Sequence, residues 1–169
     1  MTSISILGIY VADLVFYADK IPAQGESVLG QEHVIGPGGK GSNQSVAVAK
    51  AGGKVNFISK IGNDPYGEMA LKMYKESNVD ISNVIISKDH ATGAAGILVN
   101  KQTGENAITV VPGAAGKITK EDIVNFAKEK YGENYVVVYK KEGEDKSIIK
   151  VTKPAITPVS VNREDKSKF

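Results

Sequence analysis

A run of small and polar residues, 36–44 (GPGGKGSNQ), has the composition of a ligand-binding loop. Its glycines allow the backbone to approach a ligand closely and to adopt positive φ angles. The run leads into a predicted helix, and the first N–H groups of a helix are free to bind an anion or a hydroxyl group. Lys40 and Asn43 add side-chain donors at the same place. The run therefore predicts a site for an anionic or hydroxylated ligand.

Two nucleotide-binding motifs can be compared with this run. Its glycines have the spacing of the dinucleotide motif G-x-G-x-x-G, but Pro37 occupies the second position. That motif also needs an acidic residue in a strand about 20 residues later, and none is present. The P-loop requires Ser or Thr directly after Gly-Lys, where this chain has Gly41. The run is therefore either a site of another kind or a glycine-rich turn needed only for packing.

Asp13 is the second candidate for a binding residue. It follows the first predicted strand, and open α/β sheets bind ligands at the carboxyl ends of their strands. A carboxylate at this place can accept hydrogen bonds from the hydroxyl groups of a sugar. Asp is equally common as a cap of turns. The residue alone therefore leaves two roles open, a ligand contact and a turn cap.

Alternating strand and helix patterns surround these candidates. Residues 3–9 (SISILGI) and 55–59 (VNFIS) are short apolar runs typical of buried parallel strands. Residues 41–51 form a predicted helix that ends at a Gly-Gly pair. A second helix begins with Asp64 as its N-cap and Pro65 in its first turn. This order predicts an α/β fold with a doubly wound parallel sheet.

Further β-type segments do not fit a simple alternation of strands and helices. They lie in residues 14–35 and 94–111, and the second segment contains a hairpin loop with Gly104. We expect them to form an antiparallel β lid that is inserted into the α/β fold. The predicted domain with its lid spans residues 1–128.

The composition of the chain changes near residue 128. All but two of the 18 glycines come before it, and the residues after it are richer in charge. Residues 135–139 (YVVVY) and 147–152 (SIIKVT) are strand-like and flank a charged segment that contains Gly143. Residues 129–169 are therefore predicted to be an unassigned tail with a β-hairpin.

The overall composition argues against several classes of protein. Lys and Arg total 21 and Asp and Glu total 19, so the net charge of +2 is too small for a typical nucleic-acid-binding surface. The chain has no cysteine and only two histidines, which leaves few ligands for a metal site. No apolar run approaches the roughly 18 residues of a membrane span, and the first residues lack a signal-peptide pattern. We expect a cytoplasmic protein that binds neither nucleic acid nor membrane and has no metal site.

Several motifs, in their order and spacing, resemble the ribokinase family of carbohydrate kinases. They are residues 7–13 (LGIYVAD), 21–26 (IPAQGE), 38–44 (GGKGSNQ), 57–64 (FISKIGND), 66–67 (YG), 92–95 (TGAA) and 104–106 (GEN). The resemblance covers about residues 3–128, and its most specific part is the glycine-rich run with the upstream Asp. It implies a doubly wound α/β domain with a small β-sheet lid.

The substrate-binding residues of this family can be carried over position by position. The resemblance implies that the sugar is held by Asp13 and by loop residues Gly39, Lys40, Gly41 and Asn43, with Ser42 between them. Many ribokinases have Asn two residues before the Asp, where this chain has Val11. One hydrogen bond to the sugar is therefore expected to be missing.

The catalytic motif of the family is not found in this sequence. Family members are about twice as long, and their later half supplies the ATP site and a Gly-Ala-Gly-Asp motif whose Asp deprotonates the attacking hydroxyl. Residues 112–117 (PGAAGK) resemble it only superficially. ATP and Mg²⁺ are therefore implied by the family alone, and neither a catalytic residue nor a nucleotide-binding residue is assigned.

The resemblance thus implies an ATP-dependent sugar kinase of ribokinase type, present in truncated form as its substrate-binding half and inactive alone. Its expected ligand is a pentose-like sugar, and its expected partner is a second copy bound through the β lid. The alternative function is a non-catalytic sugar-binding or dimerisation module.

Overall fold

The structure, a computed structural model, describes residues 3–131, 136–139 and 147–150. The chain divides into two compact units, Met1–Thr119 and Lys120–Phe169. In its described residues the first unit contains two sheets, two α-helices and a short 3₁₀-helix. The domain organisation predicted from the sequence, with a division near residue 128, stays a prediction.

The first unit begins with a strand and ends with the 3₁₀-helix, η1. Its elements are β1 (Ser3–Leu7), β2 (Val11–Ala18), β3 (Glu32–Gly38), α1 (Lys40–Lys50), β4 (Lys54–Gly62), α2 (Pro65–Glu76), β5 (Asp80–Ser87), β6 (Thr92–Asn100), β7 (Asn106–Gly113) and η1 (Ala114–Lys117). The described part of the second unit contains α3 (Lys120–Tyr131), β8 (Val136–Tyr139) and β9 (Ser147–Lys150).

A parallel sheet with the strand order β1-β4-β5 forms the base of the first unit. The chain passes from β1 to β4 through α1, and from β4 to β5 through α2. Side chains of both helices join Phe57 and Ile61 of β4 in one hydrophobic cluster. The strand order continues in one direction, and crossovers of the usual right hand then place both helices on the same face of the sheet. The expected α/β fold with a parallel sheet is confirmed.

The core of this unit lies between β4 and the two helices. Its buried members are Tyr10, Val55, Phe57, Ile61, Ala70, Tyr74 and Val79. The ring of Tyr74 lies 5.1 Å from the ring of Phe57 and 6.2 Å from that of Tyr10, measured between centroids. Since Tyr10 lies between β1 and β2, these contacts link the start of the lid to α2.

Strand β5 is not predicted from the sequence. Its first half contains Asp, Ser and Asn, which are uncommon in strands, yet it pairs in parallel with β4. The side-chain nitrogen of the buried Asn56 donates to the Asp80 carbonyl and to the Ser82 hydroxyl. The side-chain oxygen of Asn56 accepts a hydrogen bond from the side-chain nitrogen of Asn83. These cross-strand hydrogen bonds compensate the polar composition of β5.

The predicted lid is a four-stranded sheet with the order β3-β2-β6-β7. Its outer pairs, β2 with β3 and β6 with β7, are antiparallel, but the central pair of β2 and β6 is parallel. The antiparallel lid expected from the sequence is therefore a mixed sheet. The physical reason is the long connection between β2 and β6, which contains β3, α1, β4, α2 and β5 and lets both strands run in one direction.

Asp64 caps α2, as predicted, and also ties the parallel sheet to the lid. Its carboxylate accepts hydrogen bonds from the amides of Gly67 (2.9 Å) and Thr92 (2.7 Å). The Thr92 hydroxyl in turn accepts from the Gly62 amide (2.9 Å). Burial raises the pKa of Asp64, but these hydrogen bonds outweigh burial and hold the pKa below its usual 3.8. The hydrogen bonds between Asp64 and Thr92 and between Gly62 and Thr92 fix the residue at which β6 begins.

The second unit contains a β-hairpin pairing in its described part. Strands β8 and β9 are antiparallel, with Val136 opposite Lys150 and Tyr139 opposite Ser147. The other residues of the predicted tail from 132 onward lie outside the described residues. In the described parts of both units, no helix has the length and apolar character needed to cross a membrane.

Candidate functional site

Asp13 lies within lid strand β2 and not in a loop after the first strand. Its neighbours in the sheet are Gly36 of β3 and Ala95 of β6. The side chain is partly buried, and burial raises the pKa of its carboxyl above the usual 3.8. Within residues 3–131 no hydrogen bond to this carboxylate is found. Asp13 therefore has free capacity to accept hydrogen bonds from a ligand.

The Asp13 carboxylate lies directly against Gly38, the last residue of β3. A Cβ atom at residue 38 would overlap the carboxylate, whereas a Cβ atom at residue 36 of the same strand would meet nothing within 4 Å. Gly38 directly precedes the N-cap of α1. The missing side chain at Gly38 thus leaves space for Asp13 beside the start of this helix.

The start of α1 is open to a ligand. Its N-cap is Gly39, with φ 96° and ψ 127°, and no side chain caps the helix. The Asn43 amide donates to the Gly39 carbonyl at 2.8 Å, which closes the first helical turn. The backbone N–H groups of Lys40, Gly41 and Ser42 lie before this first helical hydrogen bond and have no acceptor within the helix. They are the type of N–H group that binds an oxygen ligand at a helix N-terminus.

Close backbone contacts hold this helix start in place. A Cβ atom at Gly41 would lie 2.8 Å from the Cα atom of Gly8, and one at Gly39 would overlap the Ile9 carbonyl oxygen. The glycines therefore let α1 approach the segment that follows β1. Packing explains these glycines, and the same packing brings the open helix start next to Asp13.

The polar side chains of the first turn of α1 point in different directions. Lys40 and Asn43 are exposed, and their spacing of three residues places them on one side of the helix. Ser42 is fully buried, and its hydroxyl accepts a hydrogen bond from the Tyr74 hydroxyl at 2.8 Å. The Ser42 side chain is thus directed into the core, and only its backbone amide belongs to the open helix start.

The part of the lid face next to Asp13 is apolar, and the polar residues of this face, Tyr17, Glu32 and Asn106, lie at the other end of the strands. Cross-strand partners point to the same face of a sheet. By this register Asp13 shares its face with Val15, Val34, Ala95, Ile97, Ile108 and Val110. Val34, Ile108 and Val110 are about half exposed. An apolar surface with one convergent polar group is typical of small-molecule sites.

The described residues show neither a cluster of metal-ligating side chains nor the catalytic loop that the resemblance implies. Across the described ranges, no three Asp, Glu or His side chains lie together as in a metal site built from protein ligands alone. The segment that superficially resembles the catalytic motif forms η1 after β7, and its Ala114 and Ala115 are buried. This segment does not form an open anion-binding loop.

Three contacts that build the site are missed by sequence reasoning. They are the contact of Asp13 with Gly38, the hydrogen bond between Asp64 and Thr92, and the hydrogen bond between Ser42 and Tyr74. Each contact joins residues that are distant in the sequence. The sequence offers a signal for the first of these contacts, because a glycine inside a strand often marks a close approach by another group, as Gly38 does.

Comparison with known proteins gives the chain a family. The family model of the pfkB family carbohydrate kinases matches residues 1–156. Ribokinase from Mus musculus is 36% identical over 125 residues, which cover 74% of this chain and 38% of the mouse protein.

Solved structures agree with this match. The structure of ribokinase from Giardia lamblia superposes with a TM-score of 0.68 at 30% identity, over 76% of this chain and 39% of that one. Ribokinase from Cryptococcus neoformans var. grubii serotype A, solved in complex with ADP, has a TM-score of 0.63 at 33% identity, over 68% and 36%. The chain spans less than half the length of these relatives. Because the family model covers most of its residues and the fold is ribokinase-like, the chain belongs to the pfkB family of carbohydrate kinases.

Proposed function

We propose that this chain forms the sugar-binding half of a ribokinase-type, ATP-dependent sugar kinase, and that Asp13 and the start of α1 hold the sugar. One observation carries the proposal, a partly buried carboxylate without a partner in residues 3–131 beside an uncapped helix N-terminus. The carboxylate accepts hydrogen bonds from sugar hydroxyls. The helix amides, with the side chains of Lys40 and Asn43, donate to them.

The surroundings of Asp13 support a small, pentose-like sugar. The apolar lid face packs against the carbon skeleton, while the hydroxyls turn toward α1. Val11, two residues before Asp13, is only 4% exposed and pairs with Gly38 and Gly93. It offers no hydrogen bond to a ligand. A sugar whose binding depends on a polar side chain at this position is therefore expected to bind weakly.

The phosphate donor in this proposal is ATP with Mg²⁺, acting in the cytoplasm. Phosphoryl transfer depends on groups that position the phosphates and stabilise their charge. No residue is assigned to either role in the described part of the chain, where the segment that resembles the catalytic motif forms η1 with buried Ala114 and Ala115. We therefore expect the chain to bind the sugar without transferring phosphate by itself.

Calorimetric titration of the full chain with D-ribose, 2-deoxy-D-ribose and D-fructose tests this function. ATP hydrolysis is measured in the presence of the same sugars. We expect saturable binding of at least one sugar and no hydrolysis that depends on it. Failure of all three sugars to bind would contradict the sugar site. Sugar-dependent hydrolysis would contradict the proposed lack of activity.

The second lid face supports association of two copies, which is the dimerisation part of the alternative function. Phe16, Ile35, Leu98 and Val111 lie on the face opposite Asp13, and their side chains are between 37% and 60% exposed. A sugar covers only the face that carries Asp13. We therefore propose a homodimer in which the second lid faces of two copies bury these side chains.

Replacing Leu98 by Ser is expected to weaken this dimer by about tenfold or more, because it removes an apolar side chain from the middle of the interface. Leu29→Ser is the matched control, since Leu29 is 94% exposed and lies outside the strands. Sedimentation equilibrium over a range of chain concentrations measures both variants. A monomeric unmodified chain, or equal association of the two variants, would contradict the dimer.

Gly38→Ala is expected to displace the Asp13 carboxylate, because the added methyl group meets the flexible end of a side chain. Sugar affinity should fall about tenfold through the loss of charged hydrogen bonds. The free energy of unfolding should change by less than about 1 kcal/mol. Gly36→Ala adds the same methyl group to β3 in open space and is the matched control. Equal sugar affinities of these two variants would disprove the contact.

A further inference from the structure

A hydrogen bond between two buried side chains lies directly beneath the candidate site. The Tyr74 hydroxyl of α2 donates to the Ser42 hydroxyl in the first turn of α1 at 2.8 Å, and both residues are 0% exposed. Burial raises the pKa of Tyr74, so its hydroxyl stays protonated and remains the donor. The bond joins the two helices at the end of α1 that faces Asp13.

The Ser42 hydroxyl makes its hydrogen bond with another helix. A serine within a helix commonly donates to the carbonyl four residues earlier, as Ser45 does to Gly41 at 2.9 Å. Four residues before Ser42 the chain is still in β3, at Gly38. The Ser42 side chain is therefore held by Tyr74 and not by its own helix.

The first turn of α1 depends on such a contact more than an ordinary helix start does. Gly39 provides no side-chain cap, and a cap usually contributes about 1 kcal/mol to a helix. Glycines precede and follow the first helical residue, and glycine gives a helix end more conformational freedom. The Ser42 side chain is thus an anchor of a turn that is weakly specified by its own sequence.

We infer that Tyr74 is a positioning residue of the site, which holds the first turn of α1 through Ser42 so that its open amides and Asn43 face Asp13. Tyr74 itself is fully buried and touches no ligand. The expected effect on sugar affinity rests on the proposed function. The expected effect on the helix start does not.

Tyr74→Phe removes the donor and retains the ring that packs against Phe57 and Tyr10. Hydrogen exchange compares the amide of Asn43 in the first turn of α1, bonded to Gly39, with that of the C-cap residue Ala51, bonded to Ala47. In Tyr74→Phe we expect exchange at Asn43 to accelerate about tenfold, which is the effect of losing one buried hydrogen bond. Exchange at Ala51 should accelerate by less than about twofold. A purely structural role of Tyr74 would accelerate both amides alike.

Tyr10→Phe is the matched control for this variant. Tyr10 is also 0% exposed and contacts the Tyr74 ring, but its hydroxyl has no hydrogen-bond partner within the described residues. Its pKa is raised to about 12 by burial and by the charges of Asp13 and Asp64, so it too is a neutral phenol in the assay. Removing this hydroxyl should leave exchange at Asn43 unchanged.

A double-variant comparison tests whether Tyr74 acts through Ser42. Ser42→Ala should accelerate exchange at Asn43 as Tyr74→Phe does, and the combined variant should be no worse than the more affected single one. Additive effects would overturn the proposed route. Unchanged exchange at Asn43 in Tyr74→Phe would overturn the positioning role.

Sugar titration of the same variants separates the inference from the proposed function. If the unmodified chain binds a sugar, Tyr74→Phe should bind it about fivefold to tenfold more weakly, and Tyr10→Phe equally well. Unchanged affinity in Tyr74→Phe would overturn the inference and leave the sugar site in place. If no sugar binds, the proposed function fails, and the exchange rates alone decide the role of Tyr74.

Discussion

Replacing Asp13 by Ala is expected to weaken sugar binding by about tenfold or more. Hydroxyl groups that donate to the carboxylate would lose their acceptor, at a cost of about 1–3 kcal/mol. Lys117→Ala is the control, because Lys117 is an exposed residue of η1, in the segment that only superficially resembles the catalytic motif. Calorimetric titration of both variants with the same sugars measures the difference. Equal affinities of the unmodified chain and Asp13→Ala would show that the family's site residues do not carry over to this chain.

The pH dependence of stability separates a binding role of Asp13 from a structural one. Burial raises the pKa of its carboxyl above the usual 3.8, so the contribution of this group to stability is present below 3.8 and is lost as the pH rises through the higher folded pKa. Asp13→Asn is therefore expected to be at least as stable as the unmodified chain at pH 7, with an advantage that disappears below pH 3.8. A clear loss of stability at pH 7 would favour the turn-cap role instead.

The elements that depend on short-range signals can be predicted from this sequence. Asp64 and Pro65 start α2 as expected, because capping needs only neighbouring residues. The apolar run of β4 forms a buried parallel strand, since burial on both faces selects continuous apolar segments. The run of β1 also forms a parallel strand, but its Ile4 and Leu7 are about half exposed.

The features that depend on distant residues could not be predicted in this way. Strand β5 is stabilised by the side chain of Asn56 in another strand, and no local pattern reports such a partner. The parallel pairing of β2 with β6 is set by the topology of the elements between them. The direction of Ser42 depends on Tyr74, which lies on a different helix.

The candidate site shows both cases together. Its residues are identifiable as a set because most of them occupy one contiguous run, whose glycines and donors are visible without a structure. Their separate roles cannot be identified in this way. Gly39 and Gly41 are required by close contacts with the segment after β1, and Gly38 is required by its contact with Asp13. The type of chemistry follows from composition, whereas the geometry follows from packing.

Gly39 is the position where a substitution is expected to cost the most stability. Its φ of +96° is unfavourable for any residue with a side chain, and an added Cβ atom would overlap the Ile9 carbonyl oxygen and lie 3.1 Å from the Cα atom of Tyr10. Both neighbours are backbone atoms, so α1 or the segment after β1 must move. We expect Gly39→Ala to lower the free energy of unfolding by about 3 kcal/mol or more, the sum of backbone strain and overpacking.

Gly104→Ala provides the control that isolates the contact. Gly104 has a similar positive φ of +75°, but a Cβ atom there would meet nothing within 4 Å. Gly104→Ala should therefore lower the free energy of unfolding only by the cost of backbone strain, about 1 kcal/mol. Urea denaturation of both variants gives the two free energies, and their difference measures the close approach of α1 to the segment after β1. Equal losses would mean that this approach is not required, and the placement of the open helix start beside Asp13 would then need another cause.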